Sequence, residues 1–70
     1  MKTSYKGFKV NQNVILNESL TCEGKHFDKG HDFNIISFPP CVMTGKHQYF
    51  VYGKDDQDNT IRCNIDQIIK

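Results

Sequence analysis

Asp32-Phe33-Asn34-Ile35-Ile36-Ser37-Phe38-Pro39-Pro40 is the stretch that decides the fold. Successive side chains of an extended chain point to opposite sides, so Phe33 and Ile35 share one face and Ile36 and Phe38 the other. A strand that is partly apolar on both sides suits a chain bending between the two halves of a small barrel. Pro39 and Pro40 end it, because neither can donate a hydrogen bond to a ladder.

The same odd-even reading extends in both directions. Upstream, Phe8, Val10, Val14 and Leu16 all fall on even numbers, so one extended segment turns them to a single face across the polar step Asn11-Gln12-Asn13. Asn17-Glu18-Ser19 interrupts it, and Leu20 with Cys22 keeps the inward phase. Glu23-Gly24-Lys25 supplies a turn, and Phe27 is expected as an isolated anchor beneath a long loop ending at Asp28-Lys29-Gly30. Downstream, Cys41-Val42-Met43 is a short apolar patch and Thr44-Gly45-Lys46 a turn. A strand from His47 to Tyr52 is closed by Gly53, and Lys54-Asp55-Asp56-Gln57-Asp58-Asn59 reads as a solvated hairpin loop. The last strand, Thr60 to Ile65, places Ile61, Cys63 and Ile65 inward and Arg62 outward. Asn64 and Gln67 have the spacing of a capping box for one terminal turn, which Ile68 or Ile69 tucks onto the core.

Composition supports strands over helices. The 70 residues include no Ala, one Arg and two Leu, so the best helix formers are nearly missing. The length allows one domain, residues 1–70, whose small core leaves a thin margin of stability. With 37% hydrophobic and 24% charged residues the chain is lean but globular, and a net charge of +1 argues against a general polyanion binder. Cys22, Cys41 and Cys63 are an odd set without a secretory leader pattern, so reduced thiols in the cytoplasm are the expectation. No apolar run approaches the roughly 20 residues of a membrane span. His26, His31 and His47 sit among the cysteines, but without the tight ligand pairs of structural zinc sites neither a metal nor another cofactor is expected.

These elements describe an all-β domain, a small five-stranded antiparallel barrel with a short C-terminal 3-10 turn. The run Lys29-Gly30-His31-Asp32-Phe33-Asn34-Ile35-Ile36 resembles the K-G-D-x-F-x-I-I stretch leading out of the first long loop of SH3-like barrels. Thr60 to Ile68 is similar to their last strand with its adjoining 3-10 turn. The chain has no Trp and no A-L-Y-D-Y-like opening, so the proline-peptide site of the eukaryotic domains is not carried over. The resemblance is to small SH3-like barrels of bacteria and bacteriophages, which bind proteins or nucleic acids. It implies a non-catalytic binding module, such as a phage-type accessory or host-directed inhibitor protein acting in the host cytoplasm.

Two candidate surfaces follow from the residues. The middle of the chain holds more apolar side chains than a barrel of this size hides, and Phe38, Pro39, Pro40, Val42, Met43, Tyr49 and Tyr52, with Arg62 at the rim, form the expected protein-binding surface. The competing explanation is core packing with a loop folded over the barrel mouth. The alternative surface is the amino-terminal segment, where Lys2, Lys6 and Lys9 occur without an acid and Tyr5 could stack on bases of a nucleic acid. Three lysines there also serve solubility alone and discourage edge pairing. Self-association is a further option. Asp56 and Asp58 fail as a calcium loop, because Ile61 and Gln67 occupy the positions of its Gly and bidentate Glu. No nucleophile elbow, catalytic spacing or phosphate-cradling loop is present, so no enzyme is expected.

Overall fold

The computed structural model describes residues 2–41 and 48–70, with the side chains of Cys41 and Gln48 outside the described set. The expected turn at Thr44-Gly45-Lys46, and Val42, Met43 and His47, also lie outside the described residues. The described chain is all-β. It runs through β1 (Ser4–Tyr5), β2 (Phe8–Lys9), β3 (Asn13–Leu16), β4 (Leu20–Cys22), β5 (Lys25–Phe27) and β6 (Asp32–Ser37). It continues with β7 (Pro40–Cys41), β8 (Gln48–Tyr49), β9 (Val51–Lys54), β10 (Thr60–Cys63), a 3-10 turn (Ile65–Gln67) and β11 (Ile68–Ile69).

Five of these form one antiparallel sheet in the order β10-β9-β6-β3-β11, and β1-β2, β4-β5 and β7-β8 are two-stranded ribbons. The sheet must curl. Four inter-strand steps would separate the edges of a flat sheet by about 19 Å. Yet its edge strands, β10 and β11, are joined only through Asn64 and the 3-10 turn, and a turn of that length advances about 6 Å. The result is a half-barrel around Val14, Leu16, Phe27, Phe33, Ile35, Phe38, Val51, Ile61, Cys63 and Ile68. The turn itself is held by Gln67, whose Oε1 accepts from the backbone N–H of Asn64 at 2.8 Å.

The alternation in β6 holds as far as Ile35 and then changes phase. Pairing with β9 shifts between Ile35 and Ser37. Such a bulge inserts one extra residue on one strand. Ile36 is left outside at 41% exposure, and Phe38 swings inward to 1%, beside Phe33 and Ile35. The expectation that Ile36 and Phe38 share a face, and that Phe38 lies on a binding surface, is therefore corrected.

Three further expectations change. The even-numbered run from Phe8 to Leu16 is divided, with Asn11 in the left-handed region (φ 72°) between β2 and β3. Phe27 is a core residue at the end of β5, in a hairpin with β4 rather than under an irregular loop. Gly53 does not close its strand but lies inside β9, opposite both Ile35 and Ile61. A Cβ there would run into the carbonyl oxygen of Asn34 and come within 2.7 Å of Phe33 Cε2, so the glycine makes room for the Phe33 ring. The strand leading to it is interrupted at Phe50, whose N–H donates to Pro39 O at 2.9 Å.

Candidate functional site

The first ribbon builds one side of the site. Lys6 (φ 50°) and Gly7 (φ 88°) are its two turn residues, and two consecutive positive φ values match the right-handed twist of a tight hairpin. This turn puts Tyr5 opposite Phe8 and fixes Ser4 against Lys9, and Val10 N–H donates to Thr3 O at 3.0 Å. The β7–β8 ribbon builds the other side by pairing Pro40 with Tyr49.

Tyr5 and Tyr49 meet edge to face. Their ring centres are 5.2 Å apart with planes at 62°, and the buried Phe38 ring stands 6.1 Å from Tyr5 as the floor. Both tyrosines are half-buried and pack on the core. Two ammonium groups lie over them. Lys2 Nζ is 4.8 Å from the Tyr49 centre and 5.9 Å from that of Tyr5, and Lys6 Nζ is 5.5 Å from Tyr5. Those distances are within cation–π range. Shallow clefts open on either side of Tyr49. One, of about 390 Å³, runs over Ser37, Phe38, Pro39 and Pro40 to Lys2. The other, of about 300 Å³, lies between Tyr5, Lys6 and the 3-10 turn, with Asp66 on its border.

The residues expected at the protein-binding surface are thus divided. Tyr49, Pro39 and Pro40 share one face with Lys2, Tyr5 and Lys6 of the alternative set. Tyr52 and Arg62 face the other side, directly paired across β9 and β10, with the guanidinium carbon 5.9 Å from the Tyr52 ring centre. Phe50, 38% exposed, lines a cleft with Arg62 on that outer side. Val42 and Met43 lie outside the described residues. Lys9 is exposed on β2, its backbone N–H bonded to Gln12 Oε1 at 3.0 Å.

Two contributions escape the sequence reading. The hairpin that delivers Tyr5 carries the signal Lys6-Gly7 between Tyr5 and Phe8, the same residue-glycine pair that turns β4 into β5 at Glu23-Gly24. Lys70, whose Nζ lies 5.7 Å from the Phe8 ring centre, has no local signal, since β11 must first pair with β3 to bring it there.

The acidic hairpin is not wholly solvated as expected. Asp55 is buried, and its carboxylate accepts from the backbone N–H groups of Gln57 (3.0 Å) and Asn59 (2.8 Å) and from Asn59 Nδ2 (3.0 Å). His31 Nε2 reaches it at 2.9 Å from the loop before β6. Burial alone would push this carboxyl up, but the Asn59 side chain and backbone, His31 and the Gln57 backbone together hold it well below the usual carboxylate range. The group locks a loop and has no spare acceptor for catalysis. Burial, with Cys22 and Asp66 adding to it, pushes the Cys63 thiol up to about 12, where it is a poor nucleophile. Among the described residues, no cluster of three His, Cys, Asp or Glu side chains is placed to hold a metal ion. No helix among them is long and apolar enough to cross a membrane. Comparison with family models, with curated proteins and with solved structures finds no match to this chain.

Proposed function

We propose that the protein is a non-catalytic binding module of the SH3-like type that captures a protein partner on the Tyr5–Tyr49 face. The barrel type is supported by the strand order, in which the last strand returns past a 3-10 turn to pair with β3, and by the β4–β5 hairpin inserted between β3 and β6. The observation that carries the function is the convergence of two ribbons distant in sequence on one aromatic pair, with the flanking Pro39 and Pro40 beside it. Half-buried tyrosines offer large contact area with little side-chain entropy to lose, which is the character of interface hot spots.

Capture from lysate by immobilised wild-type, Tyr49→Ala and Tyr52→Ala protein tests this reading, with thermal melts to establish that each variant is folded. Tyr49→Ala is expected to weaken capture of the wild-type partner by about 30-fold, the loss typical of a central aromatic, while Tyr52→Ala retains it. Equal capture by Tyr49→Ala and wild type contradicts the assignment of the face.

A further inference from the structure

Resting on that reading of the face, we infer that its occupant is an acidic peptide segment, bound through carboxylates to the ammonium groups of Lys2 and Lys6. Charge is the first argument. The first ten residues carry Lys2, Lys6 and Lys9 and no acid, and Lys70 is brought beside them over Phe8. Among the described residues, the close ion pairs are His26–Asp28, His31–Asp55 and Lys54–Asp58, so no carboxylate neutralises Lys2, Lys6 or Lys70. Asp66, on the border of one cleft, is the acidic group near the face and forms none of these pairs. The aromatic rings lie beside the two ammonium groups without neutralising them, which leaves their charge for an incoming anion.

The arrangement of the rings separates a peptide from a nucleic acid. Stacking a base needs an open aromatic face. Here an ammonium group already lies over each ring, Lys2 over Tyr49 and Lys6 over Tyr5, and the 62° angle between the rings leaves no parallel slot for a base between them. Carboxylates need no such slot. They need only ammonium donors beside apolar surface, and Tyr49, Pro39 and Pro40 supply that surface for the side chains between the acids.

Calorimetric titration with an oligoglutamate peptide, and with an oligothymidylate of equal charge, tests the inference at low and at near-physiological salt. Oligoglutamate is expected to bind the wild type more tightly than oligothymidylate, and to weaken as salt rises. The double substitution Lys2→Gln and Lys6→Gln should reduce its affinity at least about tenfold, whereas Arg62→Gln on the outer side leaves it unchanged. Tighter oligothymidylate binding would make the occupant a nucleic acid and overturn the inference. So would absence of oligoglutamate binding, or an unchanged affinity in the double variant. A dimer in sedimentation that dissociates on the same double substitution would make the occupant an acidic hairpin of a second copy, and also overturn it. If oligoglutamate fails while Tyr49→Ala still loses the lysate partner, the inference falls and the binding face stands.

Discussion

Asp55 shows how a carboxylate in a run of acids becomes a structural group. Its two acidic neighbours, Asp56 and Asp58, suggest a loop bathed in water, yet the backbone folds around this one side chain and leaves those two outside. Because its folded pKa lies below the ordinary carboxylate value of about 3.9, ionisation favours the native state. The stabilisation is therefore complete above that value and is lost progressively as pH falls below it toward the folded pKa. Asp55→Asn replaces an acceptor oxygen with a donor facing Asn59 Nδ2 or His31, and is expected to cost about 2 kcal/mol at pH 6. Urea titrations of both proteins should show that difference shrinking between pH 6 and pH 3. A gap that stays constant over this range contradicts the account of Asp55.

At the scale of elements, the alternation was legible wherever a strand ran without interruption. Val14 and Leu16, Phe33 and Ile35, and Ile61 and Cys63 are buried as their parity requires, and Arg62 between the last two is exposed. Parity failed where the backbone inserts a residue. Nothing in Ile35-Ile36-Ser37 announces the bulge, which depends on pairing with a strand more than a dozen positions away. The same limit explains why the acceptance of Phe38 into the core was not visible in the sequence, whereas the odd spacing of Tyr49 and Tyr52 already sets them on opposite faces. β11 is the other element the reading compressed, into a tucked turn, although Ile68 and Ile69 pair with Leu16 and Ile15. Its two isoleucines should behave very differently. Ile68→Ala, at a site 4% exposed, is expected to lower stability by about 3 kcal/mol, and Ile69→Ala, at 49%, by less than about 0.5 kcal/mol. Chemical denaturation measures both, and similar losses would contradict the pairing of β11 on this face.

For the molecule as a whole, curling the sheet sets the two sides apart. The ribbon β1–β2 and the ribbon β7–β8 are brought together over the core at Phe38, so residues from the start and the middle of the sequence make one basic, aromatic surface. Phe50, Tyr52 and Arg62 are carried to the outside of β9 and β10. A net charge of +1 conceals this distribution, because the acids are concentrated elsewhere, three of the eight between Lys54 and Asn59. The most direct measurement is a two-dimensional NMR titration that follows backbone amides and aromatic side chains as oligoglutamate is added. The account predicts shifts concentrated at Lys2 to Phe8 and at the Tyr49 ring, with Phe50, Tyr52 and Arg62 unmoved. Shifts centred on Tyr52 and Arg62, or none at Tyr5 and Tyr49, would contradict it.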